Sequence, residues 1–196
     1  MDRLTAEFFD RDTLVVAREL LGKRLVRVID GQALTVRITE TEAYIGRMDK
    51  ACHAYGYKRT PRTETLFAPP GTAYIYLIYG MYYCLNFVTE AEGEPAAVLL
   101  RTVEPATPAD REALSLRRFG CKAGDMTPYQ RKNFLNGPGK VCKALDLTRA
   151  QNGLSLMGEE LYLLDAGETP KHIHTSKRVG IDYAEEAVHF PWRFYL

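Results

Sequence analysis

The sequence has almost no net charge and no metal-binding cysteine motif. Its 196 residues contain 26 Lys and Arg against 25 Asp and Glu, so net charge does not indicate a polyanionic partner. The four cysteines show no CxxC spacing and do not cluster with histidine. Zinc is therefore not expected, no cofactor or other metal is predicted, and the cysteines are expected to be reduced, buried thiols.

Long apolar runs are also missing. Met1 to Phe9 mixes charges early and lacks the apolar segment of a signal peptide, and no later run approaches the length of a membrane span. No internal repeat, low-complexity segment or linker interrupts the chain, and 46% hydrophobic residues suffice for a core. We therefore expect one domain over residues 1–196, soluble and monomeric, without a targeting signal. The expected location is the cytoplasm, with nucleoid association if the source is bacterial.

Positive charge is concentrated in two segments. Residues 47–62 hold five basic residues and one acid, and residues 111–143 hold eight basic residues and two acids. Several acids collect instead between residues 159 and 186. The two segments either form one phosphate-binding face or are ordinary solvated surface, and the sequence leaves both interpretations open.

The stretch Ala73 to Val88 contains five of the twelve tyrosines. Aromatic and β-branched residues favour strands, and Gly80 interrupts the run where a left-handed backbone is tolerated. The pattern predicts a β-hairpin whose tip presents Tyr79 and Met81. An ordinary core hairpin is one interpretation, but each buried phenol needs a hydrogen-bond partner, so this density indicates a surface that stacks flat rings. The core positions of the hairpin are expected to be Ile75, Leu77 and Leu85.

The first elements follow from capping and turn signals. Asp12 is a plausible N-cap for a helix over Thr13 to Leu21, with Gly22 as its stop. Lys23 to Ile29 alternates as a strand, and Asp30-Gly31 predicts a tight turn into a second strand.

That second strand carries an unexpected acidic end. The two-residue period places Leu34, Val36 and Ile38 on an apolar face, and its continuation adds Glu40, Glu42 and Tyr44 to the same side. Because an unpaired buried carboxylate is costly, structure alone gives little reason for this pattern. Arg101 lies inside another apolar strand, Ala96 to Val103, and needs an anionic partner, for which Glu42 is the candidate. The pair is either purely structural or part of a site.

The remaining elements complete the fold prediction. Residues 46–70 are expected to be loop, and Thr107-Pro108 begins a helix to Phe119 that Gly120 stops. Thr127 and Gln130 form a capping box for a short helix. Closing strands are predicted at Leu161 to Leu164, Arg178 to Ile181 and Arg193 to Tyr195. The fold class is mixed α/β, with a curved, mainly antiparallel sheet, surrounding helices and a protruding hairpin.

A glycine-rich turn, Asn136 to Gly139, opens a helix from Lys140 to Leu145. Free backbone N–H groups and the charge of Lys140 suit a phosphate, although a simple helix entrance explains the same pattern. The spacing is not that of a P-loop.

Together these residues suggest a slot for a flat ligand. A carboxylate, an embedded arginine, the tyrosine hairpin and His53 in the first basic segment would supply aromatic walls and an acid/base group. With phosphate-binding charge nearby, the ligand is plausibly a nucleobase. Tyr79 would then act as a wedge that unstacks DNA and fills the space of a flipped nucleotide.

Several motifs resemble the alkyladenine (3-methyladenine) DNA glycosylase family. They are Glu40 to Gly46 (ETEAYIG), Asp49 to His53, Thr60-Pro61-Arg62, Tyr74 to Asn86 and Leu99 to Pro105. Their order and spacing hold from about Leu20 to Pro105, and the similarity covers most of the chain.

The resemblance implies a monofunctional glycosylase that flips alkylated or deaminated purines from double-stranded DNA and hydrolyses the N-glycosidic bond, starting base excision repair. It implies Glu42 as the general base that activates water and Arg101 as the group that holds this water and a phosphate. No lysine occurs among the motif residues, so no Schiff-base step is indicated.

The resemblance also assigns the binding residues. Tyr44, His53 and Tyr76 would enclose the base, and the backbones of Ala51 and His53 would contact its edge. Asn86 would obstruct the exocyclic amine of guanine. The residues implied to contact DNA are the wedge Tyr79 with Met81 and Tyr82, and the basic residues Arg62 and Lys140.

Two other functions use the same features. A non-catalytic nucleic-acid-binding module would stack bases on the hairpin without excising them. A small-molecule hydrolase with an aromatic pocket would show no salt-dependent DNA affinity. The His172/His174 pair is weak evidence for a metal and is interpreted as strand surface. The sequence does not rank 3-methyladenine, 7-methylguanine, hypoxanthine and ethenoadenine as substrates.

Overall fold

The computed structural model describes residues 1–196 and shows one nine-stranded sheet in which every strand pair is antiparallel. The strands are β1 Asp2–Arg3, β2 Arg24–Ile29, β3 Gln32–Ile45, β4 Ala73–Ile78, β5 Tyr82–Val88, β6 Ala96–Pro105, β7 Leu161–Asp165, β8 His174–Ser176 and β9 Arg193–Tyr195. The main order is β1-β7-β2-β3-β6-β5-β4, and β9 pairs with both β3 and β8. This confirms the predicted mixed α/β class with an antiparallel sheet.

Five α-helices accompany the sheet: α1 Ala6–Phe9, α2 Thr13–Glu19, α3 Pro108–Phe119, α4 Pro128–Lys132 and α5 Pro138–Ala144. Short 3-10 helices lie at Tyr55–Tyr57, Glu64–Phe67, Ala123–Asp125, Arg149–Gln151 and Glu185–His189. None of the helices combines the length and the apolar character needed to cross a bilayer.

Most predicted helix caps are confirmed, but α2 ends at Glu19 rather than at the predicted Leu21, and α5 begins at Pro138 rather than at Lys140. The Asp12 side chain accepts two backbone N–H groups of α2, and the Thr107 hydroxyl accepts one, from Asp110 of α3. Gly120 ends α3 in the left-handed conformation at φ 70°. Thr127 and Gln130 form the reciprocal capping box of α4, which satisfies two backbone donors that would otherwise be free.

The main core lies between the sheet and helices α2, α3 and α5. It includes Val16 of α2, Leu20 at the C-cap of α2, Leu114 of α3 and Val141 of α5, all without exposed surface. Each such side chain contributes roughly 1.5–3 kcal/mol through burial. This core supports one face of the central strands β3 and β6 and leaves the other face free for a site.

The strand pair β3–β6 is irregular at the point where the acidic residues begin. Ile38 pairs with Val103 and Glu40 with Thr102, so Thr39 is an extra residue on β3. The next pair joins Thr41 to Leu100, and Arg101 is therefore the extra residue on β6. Each extra residue reverses the alternation of side chains along its strand.

This double irregularity corrects the prediction that the acidic residues continue the core face. Thr41 and Ala43 turn to the core, where the Thr41 hydroxyl donates to the carbonyl of Ala17 at 2.7 Å. Glu40, Glu42 and Tyr44 consequently lie on the opposite face. The prediction assumed a regular strand, and a single-residue bulge is enough to invalidate it.

The tyrosine hairpin is present as β4 and β5, joined at Tyr79 and Gly80, both of which have positive φ. Ile75 and Leu85 are buried as expected. Leu77 is 45% exposed, so its predicted core position is wrong, because the hairpin extends beyond the core at this point.

The predicted strand from Arg178 to Ile181 is also wrong, since these residues form an irregular loop with a bend at Val179 and Gly180. Arg178 is nevertheless buried, and its side chain is used in the site rather than in a sheet.

Candidate active site

A cleft of about 910 Å³ opens between the hairpin, the loop at residues 51–53, the loop at residues 179–183 and the start of α5. It brings together predicted residues that are far apart in the chain. Those lining it are Tyr44, Ala51, His53, Tyr76, Tyr79, Tyr82, Asn86, Arg101 and Lys140. Glu42 lies behind this lining with no exposed surface, Arg62 lies at its edge, and Met81 extends from the hairpin tip.

The Glu42 carboxylate is held by three groups. Its Oε1 accepts the backbone N–H of Val179 at 2.8 Å and lies 3.4 Å from Nη1 of Arg101. Its Oε2 accepts the hydroxyl of Tyr44 at 2.7 Å. A carboxylate has about four acceptor positions, so Oε2 retains one for a water or another donor.

Burial raises the pKa of Glu42 above its ordinary value, although Arg101, Tyr44 and Val179 favour the charged form. Removal from water penalises the carboxylate more than these partners compensate. A carboxylate with a raised pKa is a stronger base than one on the surface, which suits it to accept a proton from water.

Arg101 is paired more closely with Glu40 than with Glu42. Its Nε donates to Oε1 of Glu40 at 3.0 Å, and Glu40 also accepts from Arg193 at 2.5 Å and from Thr102 at 2.6 Å. Burial opposes the charge of Glu40, yet these bonds hold its pKa below the ordinary value. The predicted pairing of Arg101 with Glu42 is confirmed at 3.4 Å, and the structure adds Glu40 as a second partner, so Arg101 bridges both acids.

Three aromatic rings form a wall of the cleft. The His53 ring meets the Tyr76 ring edge-on at 4.6 Å between centroids, and its Nδ1 lies 3.1 Å from the Tyr74 hydroxyl. Burial and the nearby charge of Arg62 lower the pKa of His53 to about 4, so the imidazole is neutral at physiological pH. The Arg62 guanidinium lies 5.6 Å from the centre of the Tyr76 ring.

Asn86 is anchored beside this wall. It is buried, and its amide donates to the carbonyls of Tyr74 at 3.1 Å and Cys84 at 3.4 Å. Both donors are thus fixed by the hairpin, so the residue is a rigid obstacle in the cleft.

The two backbone groups expected to contact a base differ in availability. The N–H of Ala51 already donates to Asp49 at 3.0 Å, and its carbonyl accepts from Tyr183 at 3.3 Å. The N–H of His53 has no partner within the chain. The free backbone donor is therefore that of His53.

The hairpin tip presents a large apolar surface. Tyr79 is 79% exposed, and Met81 and Tyr82 are also exposed. Tyr79 has φ 53°, a left-handed conformation that costs a non-glycine residue energy and that the tight turn imposes. An exposed aromatic ring at a tight turn is the kind of side chain that can insert between stacked bases.

The two basic segments differ in their charge compensation. In the first, Arg47, Lys50 and Arg59 are paired with acids. In the second, none of the eight basic residues makes a salt bridge, and Arg118, Lys140 and Lys143 line the cleft. Lys58 and Arg62 of the first segment also lack a salt bridge, so the uncompensated charge is concentrated in residues 111–143 but is not confined to them.

Lys140 is partly engaged within the chain. Its ammonium donates to the side chains of Asn133 and Asn136, each at 2.9 Å, which leaves one of three donors free. Burial and the neighbouring Arg118 lower the pKa of Lys140.

The cysteines and histidines do not form a metal centre, since no three metal-ligating side chains come together. His174 begins β8 and stacks on Tyr195. The four cysteines are unpaired, and three are buried. Burial raises the pKa of Cys52 to about 12 and that of Cys84 to about 11, so neither thiol in the cleft is a ready nucleophile.

Sequence reasoning missed four contributors to the site: Tyr74, Arg178, Val179 and Tyr183. Tyr74 holds His53, and Val179 donates to Glu42. Tyr74 opens the Tyr74 to Asn86 motif but had been given no role, whereas Arg178, Val179 and Tyr183 lie in a segment with no chemical pattern of its own.

An aromatic cleft above a buried carboxylate, with unpaired positive charge on one wall, fits an enzyme that hydrolyses a bond to a nucleobase. The comparison with known families agrees. The family model for methylpurine-DNA glycosylases matches residues 7–196, and the chain belongs to this family, whose members are hydrolases of N-glycosyl bonds.

Relatives match over nearly their full length. A protein of Desulfitobacterium hafniense named "Putative 3-methyladenine DNA glycosylase" is 50% identical over 196 residues, covering 100% of this chain and 96% of its own. Proteins with the same name from Alkaliphilus oremlandii and Clostridium acetobutylicum are 49% and 50% identical over 194 residues, covering 99% of this chain and 95% and 94% of their own.

Proposed function

We propose that this DNA glycosylase flips alkylated or deaminated purines out of duplex DNA and hydrolyses their N-glycosidic bond with a water that Glu42 activates. The water oxygen bonds to C1′ of the sugar, its proton passes to Glu42, and the base leaves with the electron pair of the broken bond. The product is an abasic site, from which base excision repair begins.

The observation that carries this proposal is the position of Glu42. It is fully buried beneath the aromatic cleft, its pKa is raised, and it retains an acceptor position on Oε2. A negative charge here would also stabilise the positive charge that develops on the sugar as the bond breaks. A structural ion pair with Arg101 would lower the pKa of Glu42, whereas burial raises it above the ordinary value. An ion pair alone therefore does not account for this carboxyl.

The aromatic wall supports selection of damaged purines. Alkylation makes a purine cationic, and phenol faces such as that of Tyr76 attract cationic rings. His53 is neutral, so it does not repel such a base, and its backbone N–H offers a donor to the base edge. Asn86, held by two hydrogen bonds, would reject the exocyclic amine of guanine.

The hairpin supports base flipping. Tyr79 would enter the duplex and fill the space left by the extruded nucleotide, with Met81 and Tyr82 beside it. Arg62 and Lys140 would contact phosphates. We further propose that the chain acts as a monomer on duplex DNA and, if bacterial, in the cytoplasm at the nucleoid.

The test is incubation with duplexes that carry one hypoxanthine, ethenoadenine or methylated purine, followed by alkaline cleavage. We expect a break at the lesion and none in the matched undamaged duplex. Glu42→Gln should bind the lesion duplex and leave it intact. Excision by this variant at the wild-type rate would contradict the role of Glu42.

A non-catalytic nucleic-acid-binding module is the remaining alternative for the same cleft, because the exposed hairpin would also stack single strands. It predicts stronger binding to single strands than to lesion duplexes and no alkali-labile sites. The same incubation therefore separates the two functions.

A further inference from the structure

Beneath the cleft lies a fully buried ion pair that none of the assigned roles uses. Asp49 and Arg178 have no exposed side-chain surface. The Arg178 guanidinium donates two hydrogen bonds to the Asp49 carboxylate, from Nη1 to Oδ2 at 2.5 Å and from Nη2 to Oδ1 at 2.7 Å. This fork geometry fixes both side chains in position as well as in charge.

The pair joins three parts of the chain that border the site. Asp49 also accepts the backbone N–H of Ala51, on the cleft wall, at 3.0 Å. Arg178 donates to the carbonyl of Ala43 on β3 at 2.7 Å and to that of Ala187 at 3.3 Å. The strand that carries Glu42, the wall loop and the C-terminal loop are thereby held together at one point.

Two of the three groups that bond to Glu42 are positioned by the Asp49–Arg178 pair. Val179, which follows Arg178 directly, supplies the N–H that Glu42 accepts at 2.8 Å. The Arg178 guanidinium lies 4.6 Å from the centre of the Tyr44 ring, whose hydroxyl bonds to the other oxygen of Glu42 at 2.7 Å. The Asp49–Arg178 pair is thus linked to Oε1 of Glu42 through Val179 and to Oε2 through Tyr44.

Stability alone is a weak reason for such a pair, because apolar residues of similar volume often replace buried ion pairs at no cost in stability. Positioning is a stronger reason, since a reacting group displaced by about 1 Å can lose a factor of about 100 in rate.

We propose that Arg178 and Asp49 are positioning residues that set the orientation of the Glu42 carboxylate. The proposal rests on the proposed function, because it assumes that Glu42 is the base. Neither residue touches the substrate in this role.

The first experiment compares single-turnover excision by Arg178→Lys and Asp49→Asn with that by Arg27→Lys. Lysine keeps the charge of Arg178 but cannot form the fork, and asparagine keeps the shape of Asp49 without its charge. Arg27 is the matched control, since it is a buried arginine paired with Glu160 on the β2–β7 side of the sheet. Both site variants should lose about 100-fold in rate, whereas Arg27→Lys keeps the wild-type rate. Affinity for undamaged duplex should stay unchanged in all three.

The second experiment measures the pH profile of excision by Arg178→Met. Without the positive charge, the pKa of Glu42 rises further, so the acidic limb of the profile should move to higher pH. Arg178→Lys should return the limb towards its wild-type position without restoring the rate. The other groups that face Glu42 remain in place: Tyr44, Tyr76, Cys84 and Arg101.

The outcomes separate this proposal from the proposed function. If Glu42→Gln is inactive while folded Arg178→Lys and Asp49→Asn excise at the wild-type rate, positioning is overturned and the function stands. A loss in both site variants that Arg27→Lys reproduces at equal change in Tm also overturns positioning. Excision by Glu42→Gln overturns both. Arg178→Lys preserves volume and charge, so it supplies the result if Arg178→Met does not fold.

Discussion

Glu40 and Glu42 are neighbours on one face of β3, yet folding moves the pKa values of their carboxyls in opposite directions. Burial dominates at Glu42 and raises its pKa, while bonds from Thr102, Arg193 and Arg101 lower that of Glu40. Arg101 pairs more closely with Glu40, and Glu42 keeps the raised pKa that its proposed role as a base requires. The opposite pKa shifts of the two carboxyls are set by the burial and the partners of each side chain.

This difference predicts opposite effects on stability. At neutral pH the charge of Glu42 costs stability, because its folded-state pKa is raised, so Glu42→Gln should increase Tm. The charge of Glu40 contributes stability above its ordinary pKa, so Glu40→Gln should lower Tm. Thermal unfolding of both variants at neutral pH checks this, and a decrease in both would contradict it.

The same pKa values predict the pH dependence of excision. The rate should rise with pH as Glu42 loses its proton, with a midpoint above the ordinary value of about 4.3 for glutamate. His53, with a pKa of about 4, is neutral above the midpoint and should add no further limb at higher pH. Single-turnover rates measured over the pH range in which the fold is stable give the profile, and a rate that falls as pH rises through the midpoint would contradict it.

At the scale of elements, the hairpin depends on close contact with α5. A Cβ added at Gly139 would lie 2.9 Å from Cβ and Cδ1 of Tyr82, closer than such atoms approach in proteins. The glycine therefore allows the start of α5 to support the hairpin from below. The glycine-rich turn thus has a packing role whether or not it binds phosphate.

Gly139→Ala should consequently destabilise the fold by about 1–3 kcal/mol through overpacking. This is the opposite of the usual effect of alanine in a helix, which is favourable by about 1 kcal/mol. Denaturant unfolding measures the change. Gly124→Ala is the matched control, because nothing lies within 4 Å of its added Cβ. Equal stability of the two variants would show that α5 shifts to accommodate the added methyl group without a loss of unfolding free energy.

At the scale of the whole molecule, basic and acidic residues are nearly equal in number, but the salt bridges between them are unevenly distributed. The acids near residues 159–186 pair largely with bases of the sheet and the first basic segment, through Glu159, Glu160, Asp165, Glu168, Glu185 and Glu186. The basic residues of α3–α5 are left without acids. A neutral chain thereby presents one positive surface beside its cleft.

Lys143→Gln should therefore weaken binding to duplex DNA and reduce the slope of log affinity against log salt by about 1, the loss of one phosphate contact. Lys50→Gln is the matched control, since Lys50 already pairs with Glu185 and Glu186. Fluorescence anisotropy over a salt series measures both slopes. A larger change for Lys50→Gln would place the DNA on the other basic segment.

Local signals predicted much of the fold. The caps at Asp12 and Thr107, the Asp30-Gly31 turn and the tyrosine hairpin are confirmed because each depends on residues close in sequence. The sheet face on which Glu42 lies was predicted incorrectly. The bulge at Thr39 is set by pairing with β6, and no residue pattern around Thr39 indicates it.

The sequence by itself determined the element types, the hairpin tip and, through motif similarity, the family. Only the tertiary structure decided that Arg101 bridges two acids, that Val179 and Tyr44 hold Glu42, and that Asp49 and Arg178 lie behind them. Hydrogen bonds between residues more than 100 positions apart leave no local periodicity, and the pKa of a buried group depends on every charge around it. These properties become definite only when the strands are paired and the loops are packed.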